Sequence, residues 1–198
     1  MMTRCVVRGA WYVGLLLAVA CRPSGRQAVR PSSYDPAHDI GPLFSDVQLA
    51  GIFSDSKEFV DARPREAPAA IQARYDSARR APGFVLKDFV GQNFVFPHPR
   101  GGGDGYHTVA SQGMMAHINA LWPVLTRRPD STDPSSSLIP LPASYVVPGG
   151  RFREIYYWDS YFTMQGLAAD GRQDAVESMV DDFGGLIDPY GHIPNGTR

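Results

Sequence analysis

The chain has 198 residues, of which 43% are hydrophobic, and its 19 basic and 20 acidic residues give a formal net charge of −1. A charge this close to balance lacks the basic footprint of a nucleic-acid-binding protein and is more compatible with a small neutral ligand. Only two cysteines are present, Cys5 and Cys21. If residues 1–20 are removed, no intrachain disulfide can form and packing must hold the core.

The first twenty residues have the pattern of a secretory signal peptide. Two arginines precede an apolar run over residues 10–20, which ends at the cleavage-site sequence Ala18-Val19-Ala20. The run is shorter than the roughly 20 apolar residues that span a bilayer. We therefore predict that residues 1–20 are removed on export. An alternative is that Cys21, directly after this site, is lipidated and anchors the chain to a membrane.

The next segment is predicted to be irregular. Residues 21–40 are rich in proline, serine and arginine, a composition typical of a flexible leader. Folded sequence is expected from residue 41, and the apolar residues scattered among acids in 41–62 predict irregular packing. Residues 68–80 are predicted to form a short helix, because Pro68 suits its first turn and Gly83 follows its end.

A longer helix is predicted within residues 108–125. Pro123 is expected to kink this helix or shorten its last turn. His117 is interpreted as a hydrogen-bonded structural residue, since no second metal ligand lies at a suitable spacing from it. Apolar residues recur at helical spacing and predict one buried face, made of Met114, Ile118, Leu121 and Leu125.

Two successive helices are predicted after a proline- and serine-rich connection. The first covers residues 154–169, and a turn at Asp170-Gly171 leads to the second. Together with the lack of an alternating strand pattern after residue 100, this helix pair predicts an all-α fold. In the second helix the expected buried face consists of Val176, Met179, Val180, Phe183 and Ile187, and the expected exposed face of Arg172, Asp174, Glu177, Asp181 and Asp182.

The first helix of the pair carries many aromatic side chains and is expected to be buried on all sides. Asp159 lies among them, and an ionised carboxylate is costly to bury unless it finds hydrogen-bond donors or a wet cavity. Sugar hydroxyls are suitable donors, and the neighbouring Trp158 can stack on a pyranose ring. The alternative is that Asp159 accepts hydrogen bonds from a nearby loop and holds the helix in place.

Arg151 follows a Pro148-Gly149-Gly150 turn and offers five donors in a fixed fork, which suits vicinal hydroxyls or a carboxylate. The alternative is a structural ion pair, for instance with Glu154. A C-terminal loop of turn-forming residues puts Asn195 and Arg198 where their side chains can converge. The amide of Asn195 both donates and accepts hydrogen bonds, as sugar hydroxyls require.

Longer motifs connect these residues. Residues 148–161 fill every fixed position of Pro-Gly-Gly-Arg-Phe-x-Glu-x-Tyr-x-Trp-Asp-x-Tyr, and residues 192–198 match His-Ile-Pro-Asn-Gly-x-Arg. With these motifs, and with similar segments at 41–48 and 117–127, the sequence resembles the α,α-trehalases. These are inverting glycoside hydrolases with an (α/α)6 barrel, and the resemblance covers about residues 41–198.

The resemblance implies that trehalose is hydrolysed to two glucose molecules with inversion. One carboxyl group protonates the bridging oxygen, and a second, about 6.5–9.5 Å away, activates a water molecule. The resemblance makes Arg151, Trp158, Asp159 and Asn195 substrate-binding positions. No cofactor, metal or nucleic acid is expected, and the full-length protein is expected to be a periplasmic monomer that binds trehalose.

One part of the family pattern is missing. The sequence contains no Gln-Trp-Asp-x-Pro-Asn motif, near which the resemblance would place the catalytic base. We therefore assign no catalytic residue in this chain and expect the acid and the base beyond Arg198. Residues 41–198 are expected to form the N-terminal portion of an incomplete (α/α)6 toroid barrel, inactive alone and with the aromatic helix exposing an apolar patch.

Two other functions remain open. The chain could belong to another (α/α)6 sugar hydrolase that acts on a different α-glucoside. It could also be a non-catalytic exported protein that binds sugar or docks in the cell envelope, which would require a stable fold at this length.

Overall fold

The computed structural model describes residues 28–97, 106–107, 109 and 111–198. The predicted signal peptide, Cys21 and the glycine-rich stretch at 100–105 lie outside these ranges. The described residues form eight helices, α1 (Pro36–Asp39), α2 (Gly41–Ala50), α3 (Lys57–Val60), α4 (Pro68–Ala78), α5 (Leu86–Asn93), α6 (Met114–Leu125), α7 (Tyr157–Ala169) and α8 (Gln173–Tyr190). The strands β1 (Arg63–Pro64) and β2 (Phe94–Val95) pair antiparallel, as do β3 (Thr126–Arg127) and β4 (Tyr145–Val146). The all-α prediction is confirmed, since each strand has only two residues.

Two hydrophobic clusters hold these elements together. The first lies among α1 to α5, where the rings of Phe59 and Phe94 meet edge to face with centroids 5.0 Å apart. The second lies between the 139–147 segment and the α7–α8 pair. Leu167 of α7 and Met179 of α8 are fully buried there, because these two helices pack against each other across the predicted turn at Gly171.

Residues 28–40 correct the expectation of a flexible leader at 21–40. Val29 and Tyr34 are both only 4% exposed, and Val29 belongs to the second cluster. Asp35 caps α1 by accepting a hydrogen bond from the backbone N–H of Ala37 at 2.9 Å. The composition of the segment does not indicate this packing, because its few apolar residues contact residues that lie far away in the sequence.

Residues 41–62 are also more regular than predicted. They contain α2, which buries Leu43 and Val47 and ends at Gly51 with a φ of 58°, and α3. Leu49 on α2 is 86% exposed, so the apolar residues of this stretch do not all share one face. The helix predicted at 68–80 is confirmed as α4.

The helix predicted within 108–125 is present as α6, but its expected buried face is wrong. Met114 is 74% exposed, and no residue of α6 is fully buried. The helix ends two residues after Pro123, consistent with a shortened last turn. His117 is hydrogen-bonded, as interpreted, with its Nδ1 2.7 Å from the hydroxyl oxygen of Tyr106.

The aromatic helix begins later than predicted, and it exposes the apolar patch expected of an incomplete barrel. It begins at Tyr157, because Tyr156 is extended and forms a β-bridge with Gly196. Contacts with α8 cover one side of α7 and leave its first turns exposed in the described structure. The large hydrophobic side chains of this helix that are more than half exposed are Tyr157, Trp158, Tyr161 and Phe162.

The second helix of the pair is rotated relative to its predicted faces. Phe183 is buried as expected, whereas Val180 and Ile187 are nearly half exposed. Asp182 was expected on the wet face and is fully buried, because the 139–147 segment packs over it and the Ala143 N–H donates to its Oδ1 at 3.0 Å. None of the helices in the described ranges combines the length and apolar character needed to span a bilayer.

Candidate functional site

The two sequence motifs lie side by side in the fold. The backbone N–H of Tyr157 donates to the carbonyl of Asn195 at 2.9 Å, and that of Thr197 donates to the carbonyl of Ile155 at 3.2 Å. A Cβ on Gly196 would lie 3.1 Å from the ring of Tyr156, so the small residue permits this close pairing. The C-terminal loop is thereby fixed against the start of α7.

Two glycines form the tight backbone turn that precedes Arg151. Gly149 and Gly150 have φ angles of 98° and 61°, a region that favours glycine. A Cβ on Gly149 would also lie only 2.9 Å from Cδ2 of Leu125. The turn therefore packs tightly on the end of α6, and a β-bridge between Gly149 and Phe152 closes it around Arg151.

Arg151 forms an ion pair, although not with the acid considered from the sequence. Its Nη2 lies 2.9 Å from Oδ1 of Asp55, and Glu154 is engaged elsewhere. The Arg151 side chain is 54% exposed, so this pair contributes little to stability. Its main consequence is to orient the guanidinium of Arg151, which stays partly exposed.

A network of buried charges links the two motifs to α3. The Nζ of Lys57 lies 2.6 Å from Oδ1 of Asp61 and 2.8 Å from Oε1 of Glu154, and Nη1 of Arg198 lies 3.1 Å from Oδ1 of Asp61. These four side chains are at most 12% exposed. The hydroxyl of Tyr156 donates to Glu154 at 2.7 Å; burial and then that carboxylate raise the pKa of Tyr156, so it remains a donor.

Sequence reasoning missed this network. Lys57 and Asp61 are spaced as a helical ion pair, but nothing in the sequence connects them with Glu154 almost a hundred residues later. Arg198 was expected to converge with Asn195 and instead reaches Asp61. Buried charges of opposite sign are costly to separate, so the network holds Glu154, within the first motif, and Arg198, within the second, in fixed positions.

A cleft of ≈ 490 Å³ opens beside α3. Charged side chains and Phe96 line it, and Arg151 and Asp55 meet at its wall. Trp158, Asp159 and Asn195 are not part of this lining. The structure therefore brings Asn195 next to the start of α7, where Trp158 and Asp159 lie, and puts Arg151 in the cleft.

The predicted substrate-binding side chains near α7 are accessible. Trp158 is 70% exposed, and its ring meets Phe162 edge to face at 5.4 Å. The carboxylate of Asp159 is exposed and has no hydrogen-bond or ion-pair partner in the described part of the chain. Asn195 is exposed too and uses its backbone, not its amide, to bind α7. The described ranges contain no group of three metal-ligating side chains.

Comparison with known proteins identifies a family over most of the chain. The sequence model of the Trehalase family matches residues 51–198. The chain is 54% identical over 159 residues to periplasmic trehalases of Salmonella paratyphi B (strain ATCC BAA-1250 / SPB7), Salmonella schwarzengrund (strain CVM19633) and Salmonella agona (strain SL483). Each match covers 80% of this chain and 27% of the relative, so the chain spans about a quarter of their length.

Proposed function

The chain belongs to the trehalase family, and from that premise we propose that it supplies part of the substrate-binding surface of a periplasmic enzyme. The reaction is the hydrolysis of trehalose to two glucose molecules, with inversion at the attacked anomeric carbon. The described all-α structure covers part of the family's α/α barrel. We place the start of the folded unit upstream of residue 41, since Val29 and Tyr34 are buried.

The pairing of the two motifs is the observation that carries this proposal. The 2.9 Å hydrogen bond between Tyr157 and Asn195 puts the second motif directly beside the helix turn that presents Trp158 and Asp159. A disaccharide offers apolar ring faces and many hydroxyl groups. An exposed indole, an unpaired carboxylate and a free amide at one location match those features.

Each residue has a distinct role in the proposal. Trp158 stacks on a glucose ring, and Asp159 accepts hydrogen bonds from its hydroxyls. Asn195 donates and accepts at the same sugar, and Arg151 donates to ligand oxygens while Asp55 orients it. Asp55 is thus a positioning residue, because it acts through the guanidinium at 2.9 Å.

Neither catalytic carboxyl group is assigned within residues 1–198. The acid and base of an inverting enzyme stand across the glycosidic bond, and the motif expected near the base is absent from this sequence. We therefore expect these 198 residues alone to release no glucose from trehalose. A coupled glucose assay tests this, and turnover above a buffer blank would contradict it.

The binding roles are tested after the chain is joined to the downstream part of a family relative. Arg151→Ala is expected to lower kcat/KM about 10- to 150-fold, since a hydrogen bond to a charged group contributes about 1.5–3 kcal/mol. Asp55→Asn should lower it less, by loosening the guanidinium. Arg79→Ala is the control, because Arg79 forms a comparable exposed pair with Asp46 elsewhere. Equal kcat/KM for Arg151→Ala and the control would refute the role of Arg151.

The two alternatives predict different results. Another sugar hydrolase would cleave maltose or sucrose in preference to trehalose in the same joined protein. A non-catalytic sugar-binding or envelope protein would bind sugar as the 198-residue chain, and the joined protein would release no glucose from any of these sugars. Export is tested by following the processing of residues 1–20, and acylation by mass measurement of the peptide that begins at Cys21.

A further inference from the structure

Asn195 and Gly196 form a step of the chain at which two groups that can react with each other are both unengaged. The side chain of Asn195 is exposed, and its amide makes no hydrogen bond within the described part of the chain. Gly196 has no side chain that would keep a reacting group away from its backbone nitrogen. Asparagine is a thermolabile residue, because the backbone nitrogen that follows it can attack its amide carbon. The direction of the Gly196 N–H therefore decides whether the folded chain permits this attack.

The pairing of the two motifs directs this N–H away from its partner. Tyr156 and Gly196 form an antiparallel bridge, and the hydrogen bonds that close the bridge come from their neighbours. These neighbours are Tyr157, which donates to Asn195, and Thr197 on the other side. In a pair of this kind the N–H groups of the two facing residues point outward. Accordingly, no atom in the described ranges accepts a hydrogen bond from the N–H of Gly196.

The sequence holds two other asparagines, and both are engaged. Asn93 is buried, its amide donates to the carbonyl of Phe89 at 2.7 Å, and the residue after it donates its N–H to Val90. Asn119 lies within α6, and its amide donates to the carbonyl of Met115 at 3.1 Å. Neither of them is followed by glycine. These two asparagines are therefore internal controls for Asn195.

We propose that Asn195 is a site of spontaneous deamidation in the folded chain. The nitrogen of Gly196 loses its proton and forms a bond to the side-chain carbonyl carbon of Asn195. The bond from that carbon to the amide nitrogen breaks, this nitrogen takes up a proton and leaves as ammonia, and a cyclic imide remains. Water then opens the imide at either carbonyl group. The net reaction consumes water, releases ammonia and converts the amide to a carboxylate, without any oxidant or reductant.

The two products change the site in different ways. Opening that restores the original backbone gives aspartate, which keeps the bond from Tyr157 but replaces the amide with a group that only accepts hydrogen bonds. Opening at the other carbonyl gives isoaspartate, in which the carbonyl that accepts from Tyr157 at 2.9 Å becomes a free carboxylate and the backbone gains a methylene. Both products lack the amide that Asn195 would offer to a sugar. This loss of sugar binding rests on the proposed function, whereas the deamidation itself does not.

Mass spectrometry of the 198-residue chain tests the proposal. The chain is incubated at neutral and at mildly alkaline pH and is then digested with trypsin, whose peptide 173–198 contains Asn195 as its only asparagine. We expect this peptide to be converted progressively to its aspartate and isoaspartate forms, and faster at the higher pH because the Gly196 nitrogen must lose a proton. The peptides that contain Asn93 and Asn119 should keep their amides. Asn195→Gln should keep its amide too, because its longer side chain would have to close a larger ring.

A synthetic peptide of residues 190–198 gives the rate without the folded structure. We expect the chain, while it keeps its helical circular dichroism signal, to react within about tenfold of the peptide, since folding protects groups that it engages far more strongly. If the 198-residue chain lacks that signal, the chain joined to the downstream part of a family relative is incubated in its place. A folded chain that keeps the amide of Asn195 while the synthetic peptide loses it would overturn the proposal.

Two further comparisons separate the possible failures. Loss of the amide at Asn93 or Asn119 as fast as at Asn195 would also overturn the proposal, because the free N–H of Gly196 would then make no difference. In the joined protein, kcat/KM is expected to fall in proportion to the deamidated fraction. Deamidation with unchanged kcat/KM would support the modification site and contradict the sugar-binding role of Asn195.

Discussion

The buried carboxyl group of Asp182 is expected to make the chain less stable as pH rises. Desolvation is the main cause that raises its pKa from 3.8 to about 7, and the nearby carboxylates Asp130 and Asp181 add to it. The N–H of Ala143 opposes the shift by donating to Oδ1, whereas Oδ2 has no hydrogen-bond partner. Between pH 4 and 7 the folded chain therefore holds a proton that the unfolded chain has released.

The size of the effect follows from the two pKa values. One pKa unit corresponds to 1.36 kcal/mol, so a shift of about three units lowers the free energy of unfolding by about 4 kcal/mol between pH 4 and pH 7. Above pH 7 both states are ionised and this contribution stays constant. Asparagine has the shape of the protonated group and does not titrate. Asp182→Asn should thus equal wild type at pH 4 and exceed its stability by up to about 4 kcal/mol at pH 8.

Urea unfolding at several pH values between 4 and 8.5 measures this difference. Subtracting the two curves removes the contribution of every other titrating group that the substitution leaves undisturbed. Glu177→Gln, at an exposed position of the same helix, is the control and should follow wild type at all pH values. If Asp182→Asn and wild type lose or gain stability in parallel over this range, the raised pKa of Asp182 is wrong.

Two further predictions concern the motif segment. Gly149→Ala should destabilise the chain by about 2–4 kcal/mol in urea unfolding, because it combines a positive φ with a Cβ only 2.9 Å from Leu125. Gly150→Ala has the same backbone problem in open space and should cost about 1–2 kcal/mol; equal losses would contradict the role of the Leu125 contact. Glu154→Gln should destabilise by about 3–5 kcal/mol, since it leaves Lys57 beside one buried carboxylate instead of two. A loss below about 1 kcal/mol would mean that the network is dispensable for folding. Recovery of stability in the double variant Glu154→Gln, Lys57→Met would instead show that the unpaired Lys57 causes the loss.

The exposed aromatic face of α7 shows what a sequence pattern can and cannot predict about burial. The sequence correctly indicates that the helix carries apolar residues on several sides, but it cannot indicate which side meets a neighbour. In the described structure α8 covers one side, and Trp158 and Phe162 remain open. The residues proposed to bind sugar are therefore accessible for a tertiary reason that the local pattern does not contain.

The sequence by itself determined the local and linear features of this protein. Helical periodicity, proline and glycine positions and the two long motifs predicted the all-α class, the turn at Gly171, helix α4 and the family. Tertiary structure alone decided that Val29 and Asp182 are buried, that Arg151 pairs with Asp55, and that Lys57 joins Glu154. The physical reason is range: propensity and periodicity act over a few residues, whereas burial and ion pairing depend on atoms that only folding brings together.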